Sequence, residues 1–287
     1  MKKTLLTLAA ALIGLSMGTV AAPASAGQDG EFCRLDRAMI FEDPDDPRFG
    51  KIDAILVSHM HGDYIGDRHT SAPNTNTVNI ALAKNAKIVV GSKMRAFFRE
   101  KLRTLGGNPK NSVLVRFGAT KMVGGVEIPT VPALHSNGVN PAFIGGEMGK
   151  AMKAAGIAGY AGQATGYILQ FTNGLVVYLS GDTSMTAEQD AVVRGYYHAE
   201  VVVMNIGDTF TTGPKEAAFV INTMFRPKSV IVSHANEPAT KGGKIIAGTR
   251  TATFKKAVRA PVHLPLSGKT MEFDGSGKCV AVCTPPL

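Results

Sequence analysis

An apolar run, Ile52-Asp53-Ala54-Ile55-Leu56-Val57-Ser58, leads directly into His59-Met60-His61-Gly62-Asp63. No other stretch of the chain limits its fold so tightly. The run has the length and composition of a buried β-strand. Two imidazoles and a carboxylate then crowd the turn beyond it. His59 and His61 point the same way if the backbone stays extended, and a tight turn also converges them. A metal ion asks for such a set, because it binds neutral imidazole nitrogens and carboxylate oxygens at about 2.0–2.2 Å. The competing reading is a loop of surface histidines, and the density of the cluster speaks against it.

Further ligand types stand at the ends of later strands. Ala133-Leu134-His135-Ser136 closes one apolar stretch. Val176-Val177-Tyr178-Leu179-Ser180-Gly181-Asp182-Thr183 runs onto a carboxylate, and Val230-Ile231-Val232-Ser233-His234 onto an imidazole. His, Asp and His in that order, each after a strand, make coincidence a poor explanation.

The ordered set resembles the metallo-β-lactamase superfamily, whose hallmark is H-x-H-x-D-H followed by His, Asp and His. Pro132-Ala133-Leu134-His135-Ser136 and Gly207-Asp208-Thr209-Phe210-Thr211-Thr212-Gly213-Pro214 are similar to its metal-dependent hydrolase branch, related to ascorbate-phosphate lactonases. The resemblance runs from about Ile52 to about His234 and more weakly to the end. It implies an α/β fold, the αββα sandwich, with the ligands gathered at one edge. It also implies that His59, His61 and His135 hold a first metal, leaving Asp63, Asp182 and His234 for a second, with Asp182 bridging. Zinc, as one or two ions, is the expected cofactor. Manganese or iron also suits a His and carboxylate set without Cys. The implied activity is hydrolysis by metal-activated water of a small lactone, ester or phosphodiester. Asp63 would be the catalytic group that orients that water or takes its proton.

The chain departs from the family pattern in two places. Tyr64 stands where the hallmark has its last His. A phenolate can ligate a metal, because a bound cation lowers the pKa of its ligand. The other reading packs Tyr64 beside the site, with one metal or a loosely held second one. Upstream, Ala38-Met39-Ile40-Phe41 is a single short strand candidate, and Glu42-Asp43-Pro44-Asp45-Asp46-Pro47 reads as a turn. The expected N-terminal sheet is therefore shortened, which would expose sheet edge. These departures motivate an alternative, a catalytically impaired periplasmic protein of the same fold acting in binding or structure.

Met1-Lys2-Lys3, an apolar stretch from Thr4 to about Ala22, and Ala24-Ser25-Ala26 form the pattern of a cleaved secretory signal peptide. An uncleaved anchor is the rival, and Gly14, Ser16 and Gly18 interrupt it. The expected layout is a signal peptide over 1–26 and one hydrolase domain over 27–287, periplasmic or secreted, with no stable membrane insertion after cleavage. Losing Lys2 and Lys3 lowers the formal charge of +9 by two. The positive balance suits an anionic small substrate. No Lys/Arg block with interleaved aromatics appears, so nucleic acid is not the expected partner. The sequence does not fix an oligomeric state.

The three cysteines, Cys33, Cys279 and Cys283, fall outside the ordered ligands. In an extended Cys279-Val280-Ala281-Val282-Cys283 the two ends would lie roughly 13 Å apart, too far to bridge. Pairing of Cys33 with one of them is therefore expected, three reduced thiols being the alternative.

Elsewhere, Ser92 is placed to cap a helix from Lys93 to about Leu105 that stops at Gly106-Gly107. The segment from Asn137 to about Gly162 has the length of a substrate loop, with a short helix over 147–155; Asn137 and Asn140 lie near the site by sequence. Thr165 to Phe171 and Leu175 to Leu179, joined at Asn173-Gly174, form the clearest hairpin. Helices are expected over 215–225 and 249–258. His69 reads as a loop residue or a reserve ligand, and His198 and His263 as structural or exposed. Asp208 is either a support for a ligand or a turn cap.

Overall fold

The computed structural model describes residues 51–65, 76–91, 93–266, 271–281 and 283. The expected leader over 1–26, the strand candidate over 38–41, Cys33, His69 and Ser92 lie outside the described residues.

The chain forms β1 (Ala54–Val57), α1 (Gly62–Ile65), α2 (Asn76–Ala83), β2 (Lys87–Val90), α3 (Met94–Thr104), β3 (Ser112–Leu114), β4 (Thr120–Val123) and β5 (Val126–Pro132). A small lobe follows: β6 (Gly138–Val139), α4 (Pro141–Ile144), α5 (Gly146–Ala154) and β7 (Gly159–Tyr160). Then come β8 (Thr165–Gln170), β9 (Val176–Leu179), β10 (Val201–Asn205), α6 (Pro214–Phe219), β11 (Ser229–Ser233), β12 (Thr240–Lys241), β13 (Lys244–Ile245), α7 (Arg250–Ala257), β14 (Val262–His263), β15 (Glu272–Phe273) and β16 (Cys279–Ala281).

Two sheets carry the fold: β1-β2-β3, and the seven-stranded β14-β11-β10-β9-β8-β5-β4. Their central strands are apolar on both faces because both faces are covered, whereas the edge strand β4 is largely exposed. Successive side chains of a strand point to opposite faces, and each strand divides accordingly. Leu56, Val89, Tyr167, Val177, Leu179, Val201, Val203 and Ile231 meet in the layer between the sheets. Ile55, Val57, Ile88 and Val90 turn outward onto Val78, Ile80, Met94, Phe98 and Leu102 of α2 and α3. Val202, Met204, Val230 and Val232 turn outward onto Ala217, Ala218, Phe225 and Phe254. The result is the αββα sandwich implied by the resemblance.

Tyr167 fastens the layers. Its hydroxyl donates across the central layer to Val57 O at 2.7 Å and Val89 O at 3.1 Å. Complete burial pushes its phenol far above the usual tyrosine range, so it stays a donor.

Several local expectations hold and some change. The hairpin is β8–β9, antiparallel with Tyr167 opposite Leu179. Thr249 caps α7, accepting from Ala252 N at 3.1 Å. Helix α3 has Lys93 at its N-cap position with no side-chain cap. Helix α6 gives way at Val220 to a π-helical turn that ends at Phe225. The segment after His135 is folded rather than a bare loop, since β6 pairs with β7 around α4 and α5. His198 is exposed.

The expected Cys33 pairing is overturned, because Cys279 and Cys283 are bridged to each other with their Cα atoms 5.9 Å apart. The sequence argument assumed extended backbone over all five residues. Strand β16 ends at Ala281 instead, and the chain turns Cys283 back.

His263 is buried at 5 % exposure against the Phe273 ring. Among the described residues neither of its ring nitrogens meets a hydrogen-bond partner. Burial first, and Lys255 second, hold its pKa below the ordinary 6.5. The unfolded chain therefore takes up this proton before the folded one does. Its share of stability is full above about pH 6.5 and declines as pH falls below it. His263→Leu is expected to flatten that decline in urea unfolding at pH 7 and pH 5. Tyr167→Phe should cost about 1 kcal/mol, read as a Tm about 2–4 °C lower.

Candidate metal centre

The topology gathers the ligand types at one edge. Strands β9, β10 and β11 are parallel to one another. Strand β5 is antiparallel to β8, and β8 to β9, so β5 runs with the parallel group. His135, Asp182 and His234 thus leave the same edge of the large sheet. The smaller sheet is locked to that edge where Thr165 N donates to Ser58 O at 2.9 Å. This brings in His59 and His61 from the end of β1.

His59, His61 and His135 offer ring nitrogens that all lie within 4.8 Å of one another. The three rings stand nearly perpendicular to each other, at 83°, 80° and 78°. His135 Nε2 approaches His61 Nδ1 at 3.2 Å. Asp182 Oδ2 lies 3.4 Å from His234 Nε2, 3.7 Å from His135 Nε2 and 3.9 Å from His59 Nε2. Four ligands at about 2.0–2.1 Å from one tetrahedral ion stand about 3.4 Å apart. The observed separations bracket that spacing, so the residues present fit a metal. They are also the donor types that zinc, manganese or iron accept.

Neighbouring groups hold these donors in place. Ser58 Oγ lies 2.8 Å from His59 Nδ1. In the tautomer that donates to Ser58, Nε2 keeps the lone pair that faces Asp182. Asn137 Oδ1 accepts from Met60 N at 2.8 Å and pins the turn between the two histidines. Thr183 Oγ1 accepts from Leu134 N at 3.0 Å, fixing the backbone before His135. Thr183 O in turn accepts from Asn205 Nδ2 at 2.9 Å and Thr212 Oγ1 at 2.5 Å. Gly181, at φ +56°, lets the chain turn into Asp182, and a Cβ there would stand 2.7 Å from Ser58 Cβ. His234 itself sits at φ 45°, a strained conformation that folded structure tolerates mainly at functional sites.

Tyr64 is buried within this group. Its ring lies 4.1 Å from His59 and 6.0 Å from His234, centroid to centroid. Its hydroxyl makes a short hydrogen bond to Asp182 Oδ1. Tyr64 is thus packed among the donors, with its hydroxyl against the Asp182 carboxylate. Asp63 belongs to α1 by its backbone, and its side chain is outside the described residues. Asp208 stays out of the cluster. It is exposed, and its Oδ1 accepts from Thr209 N at 2.7 Å, as a turn cap does.

Sequence reasoning did not single out Ser58, Thr183 or Gly207. The available signal was a small or hydroxylated residue beside each strand-end ligand. Gly207 matters for contact, since a Cβ there would meet His234 O at 2.5 Å and His234 Nδ1 at 2.7 Å. Gly207→Ala is expected to displace His234 and weaken zinc binding about 10-fold or more, measured by competition with a chromophoric chelator.

Comparison with known proteins gives concordant results. Residues 34–235 match the family described as the beta-lactamase superfamily domain. A UPF0173 metal-dependent hydrolase of Polynucleobacter asymbioticus is 32% identical over 234 residues, covering 78% of this chain and 71% of the relative. A UPF0173 metal-dependent hydrolase of Koribacter versatilis is 29% identical over 184 residues, covering 64% of this chain and 66% of its own length. Among solved structures, Igni18, a metallo hydrolase from Ignicoccus hospitalis, superposes with a TM-score of 0.50 at 20% identity. That alignment covers 80% of this chain and 79% of Igni18, and it shows a shared fold.

Proposed function

We infer that this chain, which belongs to the beta-lactamase superfamily domain family, is a metal-dependent hydrolase. Its substrate in this reading is a small lactone, ester or phosphodiester, and an anionic one suits the net positive charge that remains, +9 less the two of Lys2 and Lys3. The observation that carries the reading is the convergence of His59, His61, His135, His234 and Asp182 at donor-to-donor spacings suited to one cation. These residues would hold the metal, with zinc the first choice. When bound, the ion supplies Lewis-acid activation of water and of a carbonyl or phosphoryl oxygen.

The chain's own groups do the rest. Ser58 orients His59, and the Thr183 hydrogen bonds brace the strand ends that carry Asp182 and His135. Asp63, in the turn beside the histidines, is assigned the role of orienting water or accepting its proton. Leu134, Met185 and Phe210 are exposed on the loops around Asp182 and give the substrate an apolar flank. The small-molecule reading rests on those residues and on the cluster, not on a nucleic-acid surface.

We also place the protein in the periplasm or outside the cell, with residues 1–26 as its signal and 27–287 as one domain. The Cys279–Cys283 disulfide supports an oxidising compartment.

Protein purified without chelator, or reloaded with zinc, should hydrolyse at least one member of a panel of lactones, esters and phosphodiesters. His135→Ala removes a ligand rather than a ligand's support, so it should lower zinc affinity and turnover by more than the roughly 10–100-fold typical of supporting residues. Metal retention without turnover on any panel member would leave a binding protein of the same fold.

A further inference from the structure

We propose that Tyr64 is a positioning residue that holds Asp182 as a one-sided ligand and so restricts the centre to a single metal ion. The proposal deepens the metal-dependent reading above and rests on it.

A carboxylate that bridges two cations gives one oxygen to each. In this chain the two oxygens of Asp182 have different partners. Oδ2 faces the Nε2 atoms of His234, His135 and His59 at 3.4, 3.7 and 3.9 Å. Oδ1 is taken by the Tyr64 hydroxyl. Hydrogen bonds from a phenol to a carboxylate are of the strong, charge-assisted kind, and this one is shielded, because Tyr64 is 6 % exposed and Asp182 2 %.

The ring is also held from both sides. It packs on His59 at 4.1 Å and faces His234 at 6.0 Å, and Tyr64 belongs to the core cluster that includes Met60, Ile65 and Val78. Helix α1 is one turn long, and Tyr64 N and Ile65 N both donate to His61 O. The backbone that presents the His61 donor therefore also sets the position of the phenol. Rotating Tyr64 out would break core packing, the Asp182 hydrogen bond and the seat of His59 together. Asp182 is thus locked in one orientation with Oδ2 toward the histidines. A second ion at Oδ1 would have to share that oxygen with the Tyr64 hydroxyl.

Zinc titration of the wild-type protein, by chelator competition and by elemental analysis after gel filtration, should give one equivalent per chain. Tyr64→Phe keeps the ring and removes the hydrogen bond. It should still bind one ion, but about 10–100-fold more weakly, as expected for a residue that orients a ligand. Its visible cobalt(II) absorption should shift, and the Tm of the metal-free protein should fall by a few degrees, about as for any lost buried hydrogen bond. The cobalt spectrum rather than the Tm therefore separates positioning from a merely structural role. If Tyr64 acts through Asp182, Tyr64→Phe added to Asp182→Asn should cost no further affinity. Two equivalents in the wild type, or unchanged affinity and cobalt spectrum in Tyr64→Phe, would overturn the proposal while leaving the hydrolase reading intact. No bound zinc in the wild type would overturn both.

Discussion

The carboxylate of Asp182 organises this molecule. A charge buried this deeply is costly unless it is paired and hydrogen-bonded. Three imidazole nitrogens stand around Oδ2, and the Tyr64 hydroxyl covers Oδ1. The partners come from three parts of the chain: His59 and Tyr64 from the turn after β1, His135 after β5, and His234 after β11. The sandwich meets the demand through strand direction, since the parallel group β9-β10-β11 and the co-directional β5 end at one edge. Tyr167 and Thr165 hold the smaller sheet to that edge and carry His59 and His61 with it.

The supports around the donors are more local than the donors themselves. Ser58 precedes His59, Thr183 follows Asp182, and Gly207 lies under His234. Left-handed backbone recurs here as well, at Asp208, Thr209, His234 and Asn236. Such conformations cost of order 1–3 kcal/mol each in non-glycine residues. They are carried by loops whose flanking strands, β10 and β11, are fully buried.

Much of this was legible in the sequence. The interiors of strands such as Val201–Asn205 and Ser229–Ser233 are continuous apolar runs, which told of sheets covered on both faces. His135, Asp182 and His234 were legible because each directly follows such a strand. Contacts between distant residues were not. The bond between Tyr64 and Asp182 joins residues 118 apart, and one chain without its fold cannot say which oxygen the phenol faces. The disulfide was missed because strand length was misjudged by two residues. The π-helical turn after α6 has no local signal in Val220–Phe225, whose residues continue a helical pattern. Asp208 follows β10 as a ligand would, and in the fold it is exposed with its carboxylate on Thr209 N.

The claim that these five side chains form a metal centre is tested most directly by anomalous diffraction at the zinc edge from crystals of the zinc-loaded protein. The account predicts one peak per chain, bounded by His59, His61, His135 and Asp182 with His234 adjacent. An absence of any peak among these residues at full zinc loading, or a peak confined to another part of the surface, would contradict it.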